Sequence, residues 1–219
     1  MQHSRRLVRC SLELIRDHSA LNVRILIHSP LARADFDLFK SFGPRLVFGM
    51  SLPTLRNDLA KVYEPKAPAP SQRLTTLRAA REAGLRVYVA VAPTYPECDE
   101  ADLRATLRAL AEVKPVTIFH EPINIRAENV ERIQAHADAL GVELKTDVFA
   151  TREQWQDYAV NALQTVERLA AELGLASRHH LWPDKSLGNV GVANRMTNPK
   201  EHVRWLRQCW ERISEWPRS

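Results

Sequence analysis

The sequence predicts an α/β fold built on a parallel sheet, open or curled toward a barrel. Three observations predict it. Short β-branched, mostly apolar runs alternate with segments of helical period along the chain. The runs carry apolar residues at consecutive positions, as strands of a parallel sheet covered by helices do. Four of them stop at a proline, which cannot donate to a ladder.

Taken in order, residues 4 to 17 set Arg among Leu, Val and Ile at helical spacing, and "LNVRILIHSP" then gives a strand ending at Pro30. "DFDLFKSFG" is a helix closed by Gly43, and "RLVFGMSLP" is a second strand ending at Pro53. The segment "YEPKAPAPSQRL", residues 63 to 74, crosses to the next helix. Its prolines limit loop entropy, and Glu64, Lys66 and Arg73 are available to a ligand or to each other.

Ser71 is placed to cap a helix through "QRLTTLRAAREAG", and "LRVYVAVAPTYP" is a third strand ending at Pro93. A helix over "DEADLRATLRALAEV" leads to a fourth strand, "PVTIFHEPIN", ending at Pro122. Next come a helix, "AENVERIQAHADALG", and a weaker strand, "VELKTDVFA". Thr151 caps a long helix through "REQWQDYAVNALQTVERLAAELG", "HHLWP" is a short strand, and "NPKEHVRWLRQCWERISEW" is the closing helix.

With 219 residues, 45% apolar and 26% charged, the chain suits one globular domain, residues 1 to 219. It contains no run approaching the roughly 20 apolar residues of a membrane span. Its start lacks the apolar block of a signal peptide, so the expected location is the cytoplasm. The formal net charge of +5 is spread among acidic residues without a basic run, and so does not establish nucleic-acid binding. Cys10, Cys98 and Cys209 lie far apart, with no metal-binding spacing, and the odd count fits a reducing compartment.

Carboxyl ends of parallel strands share one rim, where active sites of such folds form. The strand ends bring His28, Ser29, Ser51, Thr94, Tyr95, His120, Glu121 and Asn124 to that rim. His120 and Glu121 form a potential acid/base pair, but neighbours on a strand point to opposite faces; Glu121 is the one expected at the mouth. The same alternation argues against a metal site at His179 and His180. Cys98 is expected to be an ordinary solvent-facing thiol, and Trp205, Trp210 and Trp216 are spaced for partial packing.

In order along the chain, "RILIHSP", "VFGMSLPTL", "EPKAPAPSQRLTTLRAAREAGL", "VYVAVAPTYP" and "FHEPIN" resemble the radical SAM proteins related to spore photoproduct lyase, the DNA repair photolyase-like group. The resemblance covers about residues 20 to 130, and "HLWPDKSLG" extends it. It implies part of a TIM-like radical SAM barrel, incomplete at the N-terminus and followed by a C-terminal helical extension, with the proline-rich crossing joining the barrel's fourth and fifth strands.

The resemblance also implies S-adenosylmethionine lying across the strand ends and a 4Fe-4S cluster held by three thiolates of a CxxxCxxC motif, which reduces it to a 5'-deoxyadenosyl radical. The motif is absent here, and His28 stands where the group carries Lys or Arg. The chain therefore resembles the part of such an enzyme from about the third strand onward, truncated or split and without the cluster site. Alone it is expected to be inactive, with a partner N-terminal half carrying the cluster cysteines. By resemblance, Ser51 faces the cofactor, His28 or Ser29 meets its carboxylate or ribose, Ala92, Pro93 and Thr94 meet the adenine, and Glu121 binds substrate or cofactor. Two alternatives stand beside this: a cluster-free isomerase or lyase using Glu121 as base with His120 or Lys145 nearby, and a non-catalytic chain that completes another polypeptide's barrel.

Overall fold

The computed structural model describes residues 2 to 124 and 127 to 217. Helix α1 (Gln2–His18) precedes β1 (Val23–Ile27), and the short helix α2 (Phe36–Lys40) precedes β2 (Leu46–Ser51). Helices α3 (Asn57–Tyr63) and α4 (Pro70–Glu82) flank the proline-rich crossing and lead to β3 (Val87–Thr94). Then follow α5 (Glu100–Val113), β4 (Thr117–Pro122), α6 (Ala127–Leu140), α7 (Arg152–Glu172), β5 (His179–Leu181), α8 (Val190–Ala193) and α9 (Pro199–Ile213).

The five strands form one parallel sheet in the order β1-β2-β3-β4-β5, and the barrel is not closed. Registers such as Ile25↔Phe48, Met50↔Val89 and Val89↔Ile118 align one face of the sheet. That face, with Phe48, Met50, Val87, Val89, Val91 and Ile118, packs into the main core beneath the helices.

The opposite face is covered in its lower part, where Val47, Tyr88 and Phe119 pack with Ile213 and Trp216 of the C-terminal segment. Higher up it is open: Leu26 and Trp182 are exposed, and Glu121 lies on this face by alternation. The three tryptophans of the closing segment anchor it, as their spacing predicts. Trp205 Nε1 donates to Glu167 Oε2 at 3.0 Å, Trp210 Nε1 to the Pro183 carbonyl at 2.9 Å, and Trp216 lies against the Arg24 guanidinium.

Thr151 caps α7, its Oγ1 accepting from the Gln154 amide at 3.1 Å, as expected from the sequence. Three expectations change. The segment 142 to 150 contains no strand: Thr146–Phe149 is a 3-10 turn, and the Lys145 amide donates to the buried Glu97 carboxylate at 2.8 Å instead of to a ladder. Helix α4 begins two residues earlier than a Ser71 cap would have it, with Ala69 as cap, Pro70 in the first turn, and Gln72 Oε1 accepting from the Ala69 amide at 3.1 Å. Cys98 is buried, and burial pushes its thiol up to about 11, so it is inert without being solvent-facing.

Candidate functional site

Above the carboxyl ends of the strands lies a cleft of about 1120 Å³. Its walls come from five places: His28 and Ser29 after β1, the crossing from Tyr63 to Pro68, Pro93 and Tyr95 at the end of β3, Ile123 and Asn124 after β4, and Arg132, Ile133 and His136 of α6. The crossing is therefore a wall of the cleft within one parallel sheet.

What holds the crossing in place is a buried charge. The Arg73 side chain is 1% exposed, and Nη2 meets Glu64 Oε2 at 2.8 Å. Its Nε donates to the Pro68 carbonyl at 2.8 Å and Nη1 to the Ser51 carbonyl at 3.2 Å. A guanidinium out of water needs a counter-ion and acceptors; Glu64 supplies the first and the Pro68 and Ser51 carbonyls the second, with Nη2 held to Glu64 by charge rather than by a hydrogen bond. The other carboxylate oxygen of Glu64 lies 3.5 Å from His28 Nε2 at the mouth of the cleft.

A second support stands behind it. Tyr63 and Tyr95 stack with centroids 3.9 Å apart and planes 4° from parallel. Tyr63 donates to Glu97 Oε2 at 2.9 Å, and burial first, then the neighbouring carboxylates, keeps both phenols protonated well above their ordinary range.

Of the residues named from sequence, His28, Ser29, Glu64, Lys66, Pro93, Tyr95 and Asn124 line this cleft. Ser51, Ala92 and Thr94 lie behind it, turned to one another and to the core. Ser51 Oγ donates to the Ala92 carbonyl at 2.9 Å. Thr94 Oγ1 is 3.3 Å from the Val91 carbonyl and 3.4 Å from His120 Nδ1, while the Thr94 carbonyl accepts from Tyr158 at 3.1 Å.

Alternation along β4 separates His120 from Glu121. His120 is fully buried on the helix-covered face with its ring 5.9 Å from that of His179, and burial, with a smaller contribution from His179, holds it neutral. Glu121 is exposed, and its carboxyl is raised by what desolvation it experiences and then by Asp184. His180 Nδ1 lies 2.8 Å from the Arg212 carbonyl, and His179 is buried on the other face beside His120. Lys145 is exposed and does not line the cleft.

Tyr63, Arg132 and His136 line the cleft and escaped the reading of the sequence. The pair Arg132 and His136, four apart in a helix that follows a strand end, is the one local signal that pointed to it.

The cysteines do not fit a cluster. Cys10 is exposed on α1, Cys98 is buried beside the rim, and Cys209 is buried on α9 with its thiol pushed up to about 12. Among the described residues no group of three His, Cys, Asp or Glu is placed to hold a metal.

The fold has a counterpart among solved structures. A double mutant of spore photoproduct lyase with bound AdoMet and dinucleoside spore photoproduct matches 83% of this chain at a TM-score of 0.62 and 15% identity. The chain has the fold of spore photoproduct lyase. The lyase complexed with dinucleoside spore photoproduct matches 80% at a TM-score of 0.60 and 14% identity. The resemblance carried by the strand-end motifs thus holds at the level of the fold, which is TIM-like with the barrel open.

By sequence, the chain is 35% identical over 120 residues to the uncharacterized protein ORF301 of Acidianus two-tailed virus, covering 52% of this chain and 40% of that protein. It is 30% identical over 105 residues to the uncharacterized protein MJ0683 of Methanocaldococcus jannaschii, covering 47% and 38%. The chain spans about two-fifths of the length of these relatives, and 56% of the first lyase structure. No family model matches it.

Proposed function

We propose that this chain is the nucleoside-binding part of a radical SAM-like barrel, with S-adenosylmethionine across the strand ends and its nucleoside in the cleft beside the crossing. One observation carries the reading: a cleft of about 1120 Å³ at the carboxyl ends of the strands, in a fold shared with a protein solved with AdoMet bound. His28, Ser29 and Pro93 are the contacts assigned to the cofactor. Ser51, Ala92 and Thr94 support them from behind, and Glu121, on the open face, is assigned to substrate.

The thiolates for a 4Fe-4S cluster come, in this proposal, from a separate segment, because the cysteines of this chain are scattered and two are buried. The free edge of β1 is where that segment would add a strand. Apolar side chains gather there: Val8, Leu26 and Leu31, all exposed, line a hollow beside β1. The same reading places the protein in the cytoplasm, in keeping with three free cysteines and with no described helix long and apolar enough to cross a membrane.

A cluster-free isomerase or lyase is favoured by one feature, the raised carboxyl of Glu121. Its expected helpers are elsewhere: His120 is buried on the other face and Lys145 stands outside the cleft. The radical SAM-like reading is therefore preferred.

Calorimetric titration of the chain with S-adenosylmethionine and with 5'-deoxyadenosine tests it. Saturable binding of both is expected, weakened about five- to tenfold by His28→Ala through loss of one hydrogen bond. No saturable binding of either at millimolar ligand removes the proposal.

A further inference from the structure

At the amino ends of the strands, opposite the candidate site, lies a second hollow of about 690 Å³. Three cations reach it from three separate turns: Arg81 from the last turn of α4, Lys114 from the turn between α5 and β4, and Arg178 from the residue before β5. All three are exposed, and among the described residues their side chains have neither an ion pair nor a hydrogen-bond acceptor. The acids at the nearby helix ends are held elsewhere: Glu112 by Arg78 at 2.8 Å, and Glu172 by Arg104 and Arg168. Glu82, beside Arg81 on α4, is not in the lining. Among the described residues that line the hollow, Glu215 is the one carboxylate, so positive charge is in surplus.

The neighbouring guanidiniums show what a structural cation does at this end of the sheet. Arg24 and Arg86 donate to carbonyls of the C-terminal segment, and Arg212 to those of Ala176 and Ser177. Arg81, Lys114 and Arg178 have no such acceptors. Cations also offset the negative ends of helix dipoles, and Arg81 and Lys114 stand at the ends of α4 and α5. That role requires no shared hollow, and it does not account for Arg178, which stands beyond the last turn of α7. Donors converging from three turns suit a tetrahedral oxyanion, whose oxygens point in several directions, better than a planar carboxylate. The hollow is larger than one such ion and falls within the range of roughly 300–1,000 Å³ of small-molecule sites. Pro115, Val116, Trp216 and Pro217 give it an apolar wall.

We propose that this hollow binds a phosphate ester, with the phosphate on Arg81, Lys114 and Arg178 and its organic group against Trp216. The site stands at the other end of the strands from the cleft and acts by binding alone. A free nucleotide and the phosphodiester chain of a polynucleotide share this chemistry, and the test has an arm for each. The three cations lie far apart along the chain, and only the sheet gathers them, which is why no basic run marks the site in the sequence.

Phenyl phosphate, which has no nucleoside to enter the cleft, is titrated into the isotope-labelled chain and read at the indole N–H resonance of Trp216, assigned with Trp216→Phe. Saturable binding of one equivalent is expected, about fivefold tighter than that of inorganic phosphate because the ring gains an aromatic neighbour. Arg178→Gln should weaken it about tenfold, and so should Lys114→Asn, chosen because asparagine tolerates the left-handed backbone there. Arg108→Gln, at an exposed arginine of α5 outside the hollow, should leave it unchanged. The replaced side chains hold nothing in the fold, and thermal melts check that the variants match the wild type. Displacement of phenyl phosphate by AMP but not by octathymidylate assigns the phosphate to a free nucleotide, and displacement by octathymidylate assigns it to a polynucleotide; each supports the site. No saturable change at Trp216 with millimolar phenyl phosphate overturns the proposal. So does binding unchanged in both Arg178→Gln and Lys114→Asn, or an equal loss in Arg108→Gln, the mark of net charge alone.

Discussion

The buried histidines illustrate how a single residue can be read correctly in kind and still need the fold for its setting. His120 and His179 are neighbours on the helix-covered face, and burial depresses both, His179 to about 3. A histidine whose folded pKa lies below the unfolded value of about 6.5 is stabilising when neutral. That stability is complete above pH 6.5 and is lost as pH falls toward the folded value, because the unfolded chain then binds protons the folded one refuses. Two such groups predict a loss of about 2–3 kcal/mol between pH 7.5 and pH 5.5. Urea unfolding at the two pH values measures it, and His179→Phe should remove roughly half of the difference. An equal loss in wild type and variant would assign the effect to other groups.

Among the elements, β2 is the most constrained. All six of its residues are buried, and Gly49 faces the Tyr88 ring, whose nearest atoms would lie 2.3 Å from a β-carbon placed there. Tyr88 is held in turn by Phe119, edge-on at 5.8 Å, and burial pushes its phenol up to about 12. Gly49→Ala therefore forces the ring out of a packed face and is expected to cost about 1–3 kcal/mol, read as a lowered urea midpoint. Combining it with Tyr88→Leu should recover part of that loss by removing the clash, and no recovery would argue that the cost lies in the backbone.

The elements themselves were largely legible in the sequence. Each of the strands β1 to β4 has a proline at its end or just beyond it, and α7 starts at the threonine that caps it. Segment 142 to 150 was misread because its alternation of apolar and charged residues is also what a chain lying on a surface shows. Helix α3 was not foreseen, since a seven-residue helix leaves little periodicity to detect. The site was less legible. His28 and Pro93 were placed at the rim by strand ends alone, whereas Arg132 and His136 reach the cleft only because α6 packs over it.

At the scale of the molecule, the sheet has one face sealed by helices and one sealed only at its lower end. That seal is the C-terminal segment. Arg24 donates to the Ile213 carbonyl at 3.3 Å and to that of Glu215, Arg86 donates to the Pro217 carbonyl, and the Arg24 guanidinium lies over Phe119 and against Trp216. Ending the chain at Ser214 would strip two of these carbonyls and uncover Val47, Tyr88 and Phe119. A loss of about 2 kcal/mol or more is expected, with increased binding of a hydrophobic dye. A truncated chain as stable as the intact one would show that the segment merely rests on the sheet.

What the sequence determined by itself was the alternation of strands and helices and the rim where strand ends meet, because periodicity, caps and prolines act within a few residues of one another. Only the tertiary structure decided that the crossing walls a cleft, that Arg73 is buried against Glu64 and the Ser51 carbonyl, and that α6 brings Arg132 and His136 to the same cleft. Those outcomes depend on pairings between residues brought together from separate strand-helix units. The free energy of burying a charge or aiming a carboxylate is set by what the fold places beside it, which no local pattern records.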